Sequence, residues 1–522
     1  MLKIKLIAIF GLIMIANSGA APVQGERPAE NDLSLDIVPP NTMNCVHKYG
    51  NVHMCVSNWG FFGSQGGGET DCETNEPAPS MEFPAGSGIE HLFQGALWIG
   101  AIVGDDTLVS VGADGWQLAN ELYPCGDIGY QHCWLERGSN RPADPYYDPL
   151  AVSDLEYTGY YSDTLVDPSY TPDDWTGRPY IPLGIEIEQH SYSWSAEGKD
   201  QFVIFEFEVS SIGGAEIDEA YVGISVDADI MHISDNFGYT DDISGSGEFD
   251  LGTAFYSQMM YGWATDNDGD PVGGAFDFTS PRSAIGVAFL GPWTQQGTVD
   301  FNWWVSNGNP SLDWGPWLTT NAGIFDFLTG GLGTPEGDRS KWFLLQNGES
   351  DYDQLETAID HSPDGWLPPP PNAASLAAGS DTRFFLSHGP LSISPGLPAR
   401  FGAVFAVGDN VHVNPTDFAT LFDPFDPGPF QESLDFSDLE NTLAAARRMY
   451  DRINMGDVTW DGITDIDDIV RLIGYVYLAG PEPAYLPVCD VNCDGVVNLL
   501  DITLIVNYIF RGGDLPGGGC LD

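Results

Sequence analysis

The chain has 522 residues, enough for about two to four domains and a sizeable core. Its 76 acidic and 18 basic residues leave a formal charge of -58, which excludes nucleic acid and anionic membrane surfaces as partners, because phosphate binding needs Lys/Arg clusters. A content of 43% hydrophobic and 12% aromatic residues excludes a disordered chain; an acidic surface of this kind suits calcium, a salty milieu or simple solubility.

In chain order, residues 1–20 read as a signal peptide. Lys3 and Lys5 form a basic start, Leu6 to Ala16 an apolar stretch too short to span a bilayer well, and Ser18-Gly19-Ala20 a cleavage site. No later run reaches spanning length. The expectation is a secreted protein, extracellular or held at the cell surface by a partner, without membrane insertion. Export permits disulfides. Cys45, Cys55, Cys72, Cys125 and Cys133 lie early and Cys489, Cys493 and Cys520 late, and an odd count in each group leaves the pairing open.

Residues 33–430 read as a β-rich body, one or two β-sandwich-like domains, because apolar-polar alternation recurs between Gly, Pro, Asn and Asp. In Phe202 to Val209, Phe205, Phe207 and Val209 share one face, and Glu206 and Glu208 share the other. Near its start, Cys45-Val-His47 and His53-Met-Cys55 are symmetric about Gly50. A hairpin centred there sets His47 opposite His53 and Cys45 opposite Cys55, all on one face. Two readings follow, a Cys2His2 zinc site or a cross-strand disulfide beside two ordinary histidines, and export favours the disulfide.

Farther along, Asp227 and Asp229 end a strand, followed by Asp241-Asp242 and by Asp266-Asn267-Asp268-Gly269-Asp270. These can hold a further calcium in the β body; they are also ordinary turn residues. Glu186, Glu188, Glu206 and Glu208 sit two apart on strands, within the broad span of glycosidase carboxylate pairs, but the stronger reading is the wet face of an antiparallel sheet. No nucleophile elbow, HExxH or phosphate loop is present, so no catalytic residue can be named.

Residues 437–453 read as a helix and linker. Ser437 and Glu440 are spaced as a capping box, and Leu439, Leu443, Ala446 and Tyr450 form one apolar stripe. Residues 456–513 then repeat one pattern with an offset of 33. The segments DVTWDGITDIDD and DVNCDGVVNLLD place oxygen ligands at positions 1, 3, 5, 9 and 12, a carbonyl at 7 and Gly at 6. The first supplies Asp457, Thr459, Asp461, Ile463 (carbonyl), Asp465 and Asp468. The second supplies Asp490, Asn492, Asp494, Val496 (carbonyl), Asn498 and Asp501. Each set can hold one Ca2+ with help from water. A helix follows each loop, Asp468 to Gly480 and Asp501 to Gly513, begun by the position-12 ligand, with apolar stripes Ile469, Leu472, Ile473, Val476 and Ile502, Ile505, Val506, Ile509 expected to pack face to face.

This duplicated loop-helix unit resembles a type I dockerin. The resemblance implies a small α-helical calcium-dependent module that binds a cohesin-like scaffold or surface protein, in a family that often tethers polysaccharide-degrading enzymes. One departure stands out. Many such modules carry Ser-Thr at positions 10 and 11, whereas this chain has Ile466-Asp467 and Leu499-Leu500, which leaves the partner's identity open. The segments Phe83 to Ala101 and Phe384 to Gly396 loosely resemble large exported β-rich bacterial proteins of no assigned activity. The combined expectation is a docked, non-catalytic β-sandwich surface or binding protein. The alternative is a glycoside hydrolase or carbohydrate-binding protein in polysaccharide catabolism.

Overall fold

The computed structural model describes residues 41–115, 120–124, 133–171, 178–212, 214, 216–252, 258–291, 299–305, 314–321, 335, 337–396 and 398–513. Residues 1–20, expected to be a signal peptide, and Cys125 and Cys520 lie outside them.

Two antiparallel sheets face each other. One is eleven-stranded and the other eight-stranded among the described residues. In the first, β1 (Gln94–Val103), β4 (Ile217–Asp227) and β8 (Thr382–Ile393) run side by side toward one edge. The second has β2 (Ile185–Ser193), β3 (Phe202–Ser211), β9 (Ala399–Gly408) and β7 (Ala284–Gly291) side by side, ending on β6 (Gln258–Thr265) and β5 (Ile243–Asp250). The alternation in β3 decides its two faces. Phe205, Phe207 and Val209 enter the core shared by both sheets, where Phe62 of the first sheet meets Phe205 at 4.6 Å and Phe405 at 5.4 Å between ring centroids. Each such fully buried side chain contributes about 1.5–3 kcal/mol. The body is thus one sandwich with one central core.

The other face of the second sheet is not wet. Phe202 and Ile204 join Leu439, Leu443, Ala446 and Tyr450 in a second apolar cluster. These last belong to α1 (Ser437–Ile453), which lies across the sheet. Its start corrects the expected capping box. Ser437 is already helical, Phe436 is the N-cap, and no side-chain cap bond forms. Asp435 instead accepts from the Ser437 N–H at 3.0 Å, and the Phe436 ring packs on Trp263 at 4.7 Å, with the helix starting one residue earlier than expected.

The early hairpin is also corrected. Its register pairs Cys45 with Val56, Val46 with Cys55 and His47 with Met54, one residue away from symmetry about Gly50. A one-residue slip sends alternate side chains to opposite faces. Cys45 and His47 therefore face the central core, while Cys55 faces Val46 and Ala78. No Cys2His2 set can form. Cys45 bonds Cys72, Cys55 is a buried free thiol, and His47 contacts Ser193 and Ser191 at 2.7 and 2.9 Å. Burial holds His47 down at about 3, so it is neutral.

Candidate metal centres

Two groups of carboxylates converge in the body. Strand pairing builds the first. In the β4/β8 register Asp227 lies opposite Arg383, which brings Asp381 beside Asp227 and Asp229. Ligand atoms of the three aspartates lie within 4.8 Å of one another. Arg383 is buried among them, 3.2 Å from Asp227 and 2.9 Å from Asp381. Burial pushes the Asp227 carboxyl above the ordinary carboxylate range despite this guanidinium. Sequence reading placed Asp227 and Asp229 but missed Asp381 and Arg383, which carry no local signal.

The second group forms where β5 begins beside the end of β6. Ile243 pairs with Thr265, so Asp242 and Asp266 leave the sheet side by side. Asp266, Asp268 and Asp270 again bring ligand atoms within 4.8 Å of one another. Asp241 is pushed up to about 6, by burial first and then by Asp270, Asp268 and Asp235. The sequence grouped all these aspartates as one site; the structure separates them into two.

The glutamates on the outer face of the second sheet are engaged elsewhere. Glu188 and Glu208 are cross-strand partners, and His190 lies opposite Glu206. Arg400 of β9 donates to Glu206 at 2.7 Å and lies 3.1 Å from Glu208, while Glu188 accepts from Tyr160 at 2.8 Å. Glu206 is only 3% exposed, which overturns its assignment to a wet face. A buried guanidinium shared by two carboxylates is a neutralising device, not a general acid and base.

The same Arg400 reaches the C-terminal unit, which packs on the body. Its Nη1 donates to Asp457 at 2.7 Å, its Nη2 to Asn454 at 2.8 Å, and its guanidinium lies 4.9 Å from the Trp460 ring. Tyr485 hydrogen-bonds Asp451 of α1 and meets Trp460 at 4.8 Å. Within the unit, α2 (Ile466–Leu478) and α3 (Leu499–Arg511) share an apolar core. Ile469, Leu472, Ile502 and Ile505 are buried in it, with Val476, Val506 and Ile509 at its edge.

The two loops adopt one backbone. Gly462 and Gly495 sit at φ +86° and +83°, the left-handed region where a side chain is strained. Asp457 and Asp490 each accept from the backbone N–H groups at positions 5 and 6. Asp465 and Asn498 are the N-caps of α2 and α3, and Asp468 and Asp501 return to the N-cap N–H at 2.7 Å, closing a capping box in each. Asp457, Asp468, Asp490 and Asp501 are buried; Asp461 and Asp494 are exposed. Burial pushes Asp468 and Asp501 above the ordinary carboxylate range. Thr459 donates to Asp468, and Asn492 to Asp494. The Val496 carbonyl accepts from the Asn498 side-chain amide at 2.8 Å. The outer surface of the unit exposes matching apolar residues at the 33-residue offset: Ile463 and Val496, Ile466 and Leu499, Tyr477 and Phe510.

A cavity of about 650 Å³ opens on the first sheet beside Glu82, Glu90 and Asp229. Burial pushes Glu90 up to about 7. Among the described residues no helix is long and apolar enough to cross a membrane.

No family model and no curated protein matches the chain. Among solved structures it is similar, at 7% identity, to the GalM/aldose epimerase homologue from C. elegans, over 71% of this chain and 99% of that one. The TM-score of 0.26 is too low for this likeness to bear on fold or function.

Proposed function

We propose that this is an exported protein whose C-terminal unit is a dockerin-like module: two Ca2+ ions order the loops, and the unit docks the β-sandwich onto a cohesin-like scaffold or surface protein. The observation that carries the reading is the duplicated loop. Two segments with the same ligand spacing share left-handed glycines, position-1 hydrogen bonds and capping boxes at positions 9 and 12. In each, the acids at positions 1 and 12 are buried and repel each other, a repulsion that a divalent cation relieves. The matching exposed apolar pairs supply a face for a protein partner. Export is supported by the Cys45–Cys72 disulfide and by Cys133 and Cys493, which are also disulfide-bonded.

The test is calorimetric calcium titration of the full chain and of Asp457→Ala/Asp490→Ala, followed by binding to purified cohesin domains in calcium and in EGTA. The reading expects the double variant to lose two ions per chain and calcium-dependent docking. Equal calcium binding by both proteins would overturn it.

A second reading, a carbohydrate-active body, has the cavity beside Glu90 in its favour, because a carboxyl held near neutrality can act as a general acid. Hydrolysis of a polysaccharide that Glu90→Gln abolishes would support it; unchanged turnover would remove Glu90 from any mechanism.

A further inference from the structure

The turn at the end of β6 has a feature that turn chemistry does not explain. Asp266 is fully buried, and its Oδ1 accepts from the N–H groups of Asp268, at 2.9 Å, and Gly269. Its Oδ2 is buried without any hydrogen-bond donor. A buried carboxylate oxygen left unpaired costs far more than a hydrogen bond returns, so an unseen positive partner is the economical explanation.

Among the described residues the surroundings supply no such partner. Asp242 leaves β5 beside Asp266, and its own Oδ1 is also buried without a donor. The charges that act on Asp241, Asp242, Asp266 and Asp270 are those of other aspartates, with no Lys or Arg among them. Arg282, across the turn, is committed to the His412 carbonyl and to Asn410. His412 directs its Nε2 to the Asp266 carbonyl at 2.8 Å and to the Thr265 hydroxyl at 3.2 Å, and makes no hydrogen bond to Asp266 Oδ2. The Asp227 cluster shows the alternative solution, since Arg383 stands among its carboxylates.

We propose that Asp266, Asp268 and Asp270 form a calcium site in the β-sandwich, with Asp241 and Asp242 adding negative charge around it. The donors are all carboxylate oxygens, which select a hard divalent cation over one that prefers nitrogen or sulfur. The site is open on one side. Asp268 and Asp270 line a cavity of about 430 Å³ together with Asp235, His232, Ser234 and Asn236, which gives the ion an entry path and room for water ligands. The ion holds the ends of β5 and β6 together against the repulsion of their aspartates, a structural role separate from docking.

The test is equilibrium dialysis of calcium against the full chain in four forms: parent, Asp457→Ala/Asp490→Ala, Asp268→Asn/Asp270→Asn, and the combination. Asparagine keeps the acceptor that Asp268 offers to the Asp270 N–H, so the turn retains its hydrogen bond. The expected result is one ion per chain remaining in the Asp457/Asp490 variant, and that ion lost when the Asp268/Asp270 changes are added. Thermal unfolding gives a second readout. In EGTA the Asp268/Asp270 variant melts higher than the parent, because repulsion is relieved, and it loses a share of the calcium-induced rise. Unchanged calcium stoichiometry and an unchanged melting temperature in EGTA overturn the proposal. Because the two variants remove different ions, failure of the body site and failure of the docking module give different patterns.

Discussion

The two C-terminal loops have the same backbone and different neighbours. In the first, Asp457 shares one carboxylate oxygen between the Gly462 N–H and the Arg400 guanidinium, each within 2.8 Å. In the second, the equivalent oxygen of Asp490 accepts from the Gly495 N–H at 2.7 Å, and no ion pair to Asp490 occurs among the described residues. A fixed guanidinium opposes a second cation at the same carboxylate, so two loops of one motif are expected to bind calcium unequally. The body repeats the contrast, with Arg383 among the carboxylates of one cluster and, among the described residues, no Lys or Arg ion pair to those of the other. Counting acidic ligands overestimates a site wherever an arginine from a distant strand has already neutralised it.

The largest expected effect comes from removing that arginine. Arg400→Met leaves Glu206, Glu208 and Asp457 facing one another without a cation, and should cost about 3–5 kcal/mol in urea unfolding in EGTA, the usual penalty for stranding buried charge. Calcium should restore part of the loss by taking over at Asp457. A cost under about 1 kcal/mol would mean that solvent reaches these carboxylates.

The next effect separates the loops directly. Asp457→Ala and Asp490→Ala, titrated with calcium one at a time, should remove a weaker and a tighter ion respectively. A tenfold difference in affinity corresponds to about 1.4 kcal/mol. Equal affinities would erase the role assigned to Arg400.

A smaller effect comes from the backbone. Gly462→Ala and Gly495→Ala each force a side chain into the left-handed region, at about 1 kcal/mol. Gly462 should cost more, because a Cβ there lies 3.3 Å from Glu208 Oε1. Calcium-dependent melting of the two variants measures the difference.

The smallest effect distinguishes body from loops by pH. Burial raises Glu90, Glu349 and Asp353 each to about 7. A carboxyl with a raised folded value binds its proton more tightly in the folded state. Its stabilising contribution is complete below the unfolded value, near 4, and is lost as pH rises through about 7. In EGTA the melting temperature of the body should therefore fall between pH 5 and pH 8, equally in the parent and in Asp457→Ala/Asp490→Ala. A rise over that window would show these groups ionised in the fold.

Much of the chain was legible from local pattern. The alternation in Phe202 to Val209 sorts core from outer face, and the stripe from Leu439 to Tyr450 marks the buried side of α1. A helix after each loop was legible too, although each starts three residues before its position-12 aspartate, at the N-caps Asp465 and Asn498. Errors arose where a local rule was asked a longer-range question. The hairpin looked symmetric about Gly50, but the core chose the register one residue away, and Cys45 found Cys72. Ser437 and Glu440 had capping-box spacing, but Phe436 docking on Trp263 set the start of the helix.

The division follows the distance over which each feature is encoded. Each loop carries its candidate ligands within twelve consecutive residues, and its turn, caps and helix follow from Gly, Asp and Asn at fixed short offsets, so a linear reading reaches them. Which carboxylates meet, and which meet an arginine first, depends on strand pairing between segments far apart in the chain. Asp381 and Arg383 come to Asp227 through the β4/β8 register, and Arg400 comes to Glu206 and Asp457 through β9 and the packing of α1. Arg383 and Arg400 look like any surface arginine in sequence. Burial among acids makes each of them the charge that decides what its cluster can bind.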